Sequence, residues 1–352
     1  MDLLGSLRKQ YLGAGFAFLF SAVFVTPAAA QHAELRRVPQ REFPTKIDGN
    51  SPAFWSDGKL KLFSSIGMPE MISEARDQFG PWTSVTIQGD IQDHYPVWVE
   101  SAWMDSDGVL FVWYHHEPIG LCDDSILTAP EIGAAVSFDG GKTLTDLGIV
   151  LKSGEVMDCD AANGYFGGGH GDFSVVPDPE RRYFYFLFSN YSGPMDEQGV
   201  AVARMAYEDR FGPAGAVWKF RDGGWNEPGL GGRVTAIYPA TNSWKFEDAT
   251  SFWGPAVHWN TYLEKYVVLM NRACCEPGWL QEGIYISYVP RLDEPSTWSA
   301  PVKLLDGESI GFRAGFYPQI MGLEEGETDS VSGWSARLYI HGISRWEIMF
   351  SR

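Results

Sequence analysis

Tyr165-Phe166-Gly167-Gly168-Gly169-His170-Gly171-Asp172-Phe173-Ser174-Val175-Val176-Pro177-Asp178-Pro179-Glu180-Arg181-Arg182-Tyr183-Phe184-Tyr185-Phe186-Leu187-Phe188-Ser189-Asn190 is the stretch on which the fold turns. Its glycines let the backbone turn tightly and pass close to a neighbour, and they deliver His170 and Asp172 to the start of a short apolar strand. The proline-rich charged turn at 177–182 sends the chain back as a second strand. That strand, 183–188, is too aromatic and too poor in helix formers to be a buried helix. The stretch therefore reads as a β-hairpin with a carboxylate at its mouth.

The same unit recurs along the chain. Phe54 and Trp55 precede the turn 56–59 and the run 60–63; residues 101–103 precede the turn 105–108 and the run 109–114. Residues 256–259 and 266–270 flank a turn at 260–265, and 318–321 pair with 338–340 across a longer polar loop. Five copies at intervals of roughly fifty to eighty residues mark radial β repetition, in which no single sheet can bury both of its faces alone. The expected fold is all-β, a five-bladed β-propeller of four-stranded antiparallel blades. The segment 31–45 is expected to complete the last blade by pairing with 346–350, and 31–352 to form one domain.

Composition agrees with a large turn-rich core: of 352 residues 45% are hydrophobic and 14% aromatic, with 39 Gly and 21 Pro. A formal net charge of −18 argues against phosphate backbones and anionic membrane surfaces as partners. At the N-terminus, Arg8 and Lys9 precede an apolar run at 11–25 and the small residues Ala28-Ala29-Ala30, the pattern of a cleaved signal peptide over 1–30. The apolar run is shorter than the roughly 20 residues of a spanning helix. The expected product is a secreted or periplasmic protein, monomeric, with no membrane contact after cleavage. Of the four cysteines, Cys274 and Cys275 either close on each other or pair with Cys122 and Cys159; spacing does not choose, and a structural disulfide is favoured over zinc.

In a propeller the inner strand of each blade starts at one end of a central channel, so residues at that position converge. The first blade offers Asp48, the second Glu100, the third Asp172, the fourth Trp253-Gly254-Pro255 with Glu247 and Asp248 just upstream, and the fifth Phe316 and Tyr317. Acids crowded in a funnel shift one another's pKa, so one keeps a proton while another stays ionised, as hydrolysis of glycosidic bonds requires. Trp98, Trp253, Trp259 and Tyr317 are candidate stacking surfaces for sugar rings. Asp57, Asp107, Asp139 and Asp178 sit in hairpin turns and read as structural.

Residues 137–143, Ser-Phe-Asp-Gly-Gly-Lys-Thr, resemble the Asp-box turn of sialidase-type propellers, a blade feature and not a catalytic one. The blade pattern, Asp48, Asp172, Trp253-Gly254-Pro255 and the strands at 283–287 and 298–305 resemble the five-bladed glycosidases of the arabinanase, xylosidase and fructosidase clans (glycoside hydrolase family 43-like). That resemblance covers nearly all of 31–352. It implies that Asp48 is the base or nucleophile and Asp172 the residue that tunes pKa and orients substrate. It also implies a fourth-blade Glu before Gly-Pro as the acid, where this chain has Trp253. Glu100, Glu117 or Asp248 would then supply the proton, and Glu100 is favoured by its equivalent position.

The histidines His94, His115, His116, His170, His258 and His341 fall near blade mouths or inner strands. Neutral imidazoles there hydrogen-bond sugar hydroxyls or hold a metal, although any single one more often has a structural role. The expected site therefore comprises Asp48, Glu100 and Asp172 as catalytic carboxylates. His116, Glu117, His170, Asp248, Trp253, His258 and Tyr317 are the substrate-binding candidates. No cofactor is expected; a calcium or other ion on the axis is the minority alternative. The leading expectation is a glycosidase acting on oligo- or polysaccharide. A non-catalytic carbohydrate-binding propeller is the alternative, and a sialidase-like enzyme fits less well, because one Asp-box-like turn is present and five blades fit the length better than six.

Overall fold

The computed structural model describes residues 32–67, 70–123, 125–311, 313 and 315–352. The leader expected at 1–30 lies outside the described residues. Five separate sheets follow one another along the chain and form the five blades. The hairpins read from sequence are the two inner strands of each: Ala53–Ser56 with Lys59–Ser64, Val97–Met104 with Leu110–His116, His170–Pro177 with Tyr183–Asn190, Ser251–Asn260 with Lys265–Ala273, and Pro318–Gly322 with Ser335–Ile340.

Blade-to-blade packing explains why positions 184–188 of the strand Tyr183–Asn190 are all aromatic or aliphatic. Strand side chains alternate between faces. Phe184, Phe186 and Phe188 pack against Trp113 and Phe111 of the second blade, whereas Tyr185 and Leu187 pack against Val257, Tyr266 and Val268 of the fourth. Trp113 sits 5.0 Å from Phe184 and 5.9 Å from Phe186 in tilted and edge-on geometry, arrangements favourable for aromatic pairs. Buried layers of this kind lie between each blade and its neighbours.

The last blade is closed by the strand His32–Glu42, which pairs antiparallel with Ile343–Ser351. In the second blade the outer turn forms as its sequence indicates. Asp139 accepts the backbone N–H groups of Lys142 and Thr143, each at 3.0 Å, and the hydroxyls of Ser137 and Thr143 at 2.8 Å each. The third blade departs from four strands. The stretch 223–232, which its glycines at 223, 224, 229, 231 and 232 make read as a loop, supplies the strand Gly224–Pro228, which forms an outer hairpin with Val217–Arg221. Cross-strand pairing of these two apolar-containing segments outweighs their glycine content.

Two disulfides resolve the cysteine alternatives: Cys122 joins Cys159, and Cys274 joins Cys275. Among the described residues no helix is long and apolar enough to cross a membrane. The entry to the first blade crosses the axis and touches three other blades. Asn50 donates to the carbonyls of Phe173 (3.0 Å) and Pro255 (3.3 Å), and Ser51 and Gln319 exchange two hydrogen bonds of 2.7 and 2.8 Å. These contacts place Asp48, two residues earlier, at the mouth of the channel.

Candidate active site at the channel mouth

Three inner strands carry an irregularity at the same level. Val99 pairs with Tyr114 and Ser101 with Trp113, which leaves Glu100 as an extra residue. In the third blade Gly171 pairs with Ser189 and Phe173 with Phe188, which leaves Asp172, at φ +41°. In the fourth the register slips between Trp253 and Ala256, with Gly254 at φ +57°. A β-bulge re-aims the side chain of its extra residue, and here bulges in adjacent blades turn two acids into one cluster. The fourth bulge carries a glycine and so contributes no side chain.

Glu100, His115 and Asp172 each place a ligating atom within 4.8 Å of the others, and all three are buried. Glu100 Oε2 accepts the N–H of Phe173 at 2.8 Å, and Oε1 lies 3.4 Å from His115 Nδ1. The other imidazole nitrogen, Nε2, lies 3.3 Å from Glu117 Oε1. Asp172 accepts the hydroxyl of Tyr191. Asp48, on the solvent side, is 3.4 Å from the Tyr317 hydroxyl. A Cβ added to Gly49 would stand 2.8 Å from Glu100 Oε1, so the backbone next to Asp48 rests directly on the cluster.

These contacts set the charges. Burial pulls His115 down, but hydrogen bonds to Glu100 and Glu117 outweigh it and hold the imidazole well above its usual range. Burial raises Glu100, partly offset by His115 and the Phe173 N–H. Burial, reinforced by the charge of Glu100, pushes Asp172 up to about 7. Burial also raises Asp48, which His341 opposes and Glu117 reinforces. Environments that separate the pKa values of neighbouring acids are what acid/base chemistry needs.

The wall is aromatic. Tyr191 stacks on Phe166 at 4.4 Å, and Trp253 contacts Trp279 at 5.3 Å and Tyr317 at 5.7 Å. A cleft of about 400 Å³ opens between the loops around Glu155, Met195 and Phe246; it shares Tyr191 with the cluster but is not lined by Asp48, Glu100 or Asp172.

The sequence-derived candidates divide accordingly. Asp48, Glu100, Asp172, Glu117, Trp253 and Tyr317 are brought together. His116 is not: alternation turns it to the opposite face from His115, toward Pro96 and His94. His170 likewise faces away from Asp172 and meets Lys219 Nζ at 2.8 Å. Burial, and then the Lys219 charge, hold its pKa well below the usual range. His258 is buried against Phe350, and its pKa falls to about 3 through burial. Asp248 sits in an exposed turn and accepts the Asn242 amide at 2.9 Å. His115 and Tyr191 also belong to the cluster; His115 was named from sequence only among the histidines near the blade mouths, and Tyr191 was not named. The His115-His116-Glu117 run was the available signal for the first, and nothing local marks the second.

No protein-family model matches this sequence, and no curated protein matches it. Among solved structures, an α-L-arabinofuranosidase from Lactobacillus brevis matches with a TM-score of 0.51 at 13% identity, over 88% of this chain and 92% of its own. A family 43 β-1,3-galactosidase solved with galactodeoxynojirimycin matches with a TM-score of 0.50 at 12% identity, over 88% of this chain and 94% of its own. At these identities the likeness is one of fold, that of a five-bladed propeller.

Proposed function

We propose that this protein is an exported glycosidase that hydrolyses glycosidic bonds of an oligo- or polysaccharide at the mouth of its channel. The observation that carries the reading is the convergence of Asp48, Glu100 and Asp172 from three blades against an aromatic wall. Glu100 accepts one backbone N–H and faces His115, so it is held as the carboxylate that lifts its neighbour. Asp172, raised to about 7, is the group that carries a proton near neutrality and donates it to the leaving oxygen. Asp48, open to the funnel, is the base or nucleophile. This exchanges the roles expected from the sequence, in which Asp172 tunes the pKa by resemblance and Glu100 is the favoured acid by its position. Trp253, standing where the resemblance implies a fourth-blade Glu before Gly254-Pro255, is why an acid is needed from elsewhere.

The same tryptophan favours a second reading, a propeller that binds sugar without cleaving it. Hydrolysis of a panel of aryl glycosides and soluble arabinan, galactan, xylan and levan separates the two. Turnover that Asp172→Asn abolishes, in a protein that remains folded, supports the enzyme. Sugar binding without turnover on the whole panel supports the lectin and overturns the enzyme.

A further inference from the structure

The extra hairpin of the third blade builds a cavity of its own. Gly224–Pro228 extends the sheet beyond its fourth strand, Val217–Arg221, and Tyr185, Arg204, Trp218 and Pro228 pair in one row across it. Side chains in such a row stand on one face. Ala206 and Ala216 give that face a shallow floor, and the space above it is a cavity of about 330 Å³ bordered by Tyr183, Arg204, Asp209 and Trp218.

Its chemistry is specific. The Arg204 guanidinium is held between Tyr183 at 4.3 Å and Trp225 at 4.6 Å. It also hydrogen-bonds the Tyr185 hydroxyl. Among the described residues it forms no ion pair with a carboxylate. Stacking fixes the plane of the fork and leaves its N–H edge to a ligand. Trp218 is 46% exposed, an apolar platform that the fold does not cover. Asp209, at the rim, adds an acceptor beside the donor.

We infer that this cavity is a second binding site, for a neutral sugar unit of an oligo- or polysaccharide chain. A sugar ring offers an apolar C–H face to Trp218 and an equator of hydroxyls, which both donate and accept, to Asp209 and Arg204. Asp209 and the chain's net charge of −18 disfavour a uronate or phosphate here. The site lies apart from the carboxylates. The hairpin runs antiparallel, with Gly171 opposite Ser189 at one end and Pro177 opposite Phe184 at the other, so Tyr183 and Arg204 stand at the end away from Asp172. The inference stands whether or not the carboxylate cluster is catalytic.

Native gels containing soluble linear arabinan, β-1,3-galactan, arabinoxylan or levan test it. The full chain is expected to be retarded by at least one of them, with Trp218→Ala and Arg204→Gln each weakening the association at least tenfold. Hydrolysis of a small aryl glycoside, or its absence, should be the same in wild type and both variants. Asp172→Asn is expected to be retarded like wild type, which separates this site from the axis. Circular dichroism of both variants confirms the fold. Migration of wild type unchanged by all four polymers, or retardation that survives in both folded variants, overturns the inference.

Discussion

The carboxylate of Glu100 accepts the backbone N–H of Phe173 at 2.8 Å, across the boundary between the second and third blades. Phe173 follows Asp172 directly, so one hydrogen bond fixes the spacing of two buried acids and makes each sensitive to the other's charge. His115, on the strand paired with that of Glu100, faces both Glu100 and Glu117 and supplies the positive charge that lets a carboxylate survive there. The cluster is thus asymmetric. Glu100 faces the imidazole directly, whereas Asp172 accepts the Tyr191 hydroxyl and feels the His115 charge without pairing to it.

Glu100→Gln removes the charge that, after burial, is the largest cause of the raised Asp172 value. Asp172 should then titrate at lower pH by about one unit. The alkaline limb of kcat/KM is expected to move down accordingly, with a smaller loss of turnover than Asp172→Asn causes. If Glu100 itself gave up the catalytic proton, the amide would abolish turnover at every pH; a pH profile of the variant decides between the two.

Stability should respond to pH through groups outside the site as well. His258 is buried with its pKa lowered to about 3. Between that value and about 6.5 the unfolded chain takes up a proton that the folded one does not, so stability falls as pH falls. His258→Leu should lose this penalty: relative to wild type, it gains about 3 kcal/mol between pH 8 and pH 4 in urea unfolding. Asp172 acts with the opposite sign. Its folded pKa of about 7 exceeds the unfolded one, so stability declines as pH rises from about 4 to 7 and is level above that. Asp172→Asn should remove that decline.

Much of this architecture was legible because propeller hairpins repeat, and repetition survives where local motifs are weak. The aromatic run at 183–188 announced a strand and not a helix, and Asp139 announced the outer turn of the second blade. What was not legible is the aim of side chains. His115 and His116 are adjacent, and only the phase of the strand decides which joins the acids. Glu100 and Asp172 sit on bulges, which break the simple alternation that a sequence pattern assumes. The second hairpin of the third blade was missed because 223–232 is rich in glycine, the usual mark of a loop.

Gly171 shows what the glycine run does. A Cβ there would stand 2.7 Å from His115 Cε1 and 3.0 Å from Pro130 Cβ, both in rigid rings. Gly171→Ala should therefore cost about 1–3 kcal/mol by overpacking. It should also push His115 off Glu100 and lower kcat without a matching change in KM. Denaturant unfolding and steady-state kinetics on one preparation check both; an alanine variant as stable and active as wild type would mean that the close approach has no functional purpose.

Asp48 presents the reverse case, a residue with little to do for the fold. The residue is exposed, and among the described residues its side chain's hydrogen-bond partner is the Tyr317 hydroxyl at 3.4 Å. Burial of its surroundings raises its pKa against the pull of His341, a cost that the folded state bears without a compensating strong hydrogen bond. Asp48→Asn should accordingly leave urea unfolding within about 0.5 kcal/mol of wild type or stabilise the chain slightly. Turnover, in contrast, should drop about 10²- to 10⁴-fold, the usual worth of a positioned base. Added azide, a small anionic nucleophile able to enter the space left by the carboxylate, should restore part of the rate with an activated aryl glycoside. Stability unchanged together with activity unchanged would remove Asp48 from the chemistry and leave Glu117, the other acid of the cluster that reaches solvent, to be tested in its place.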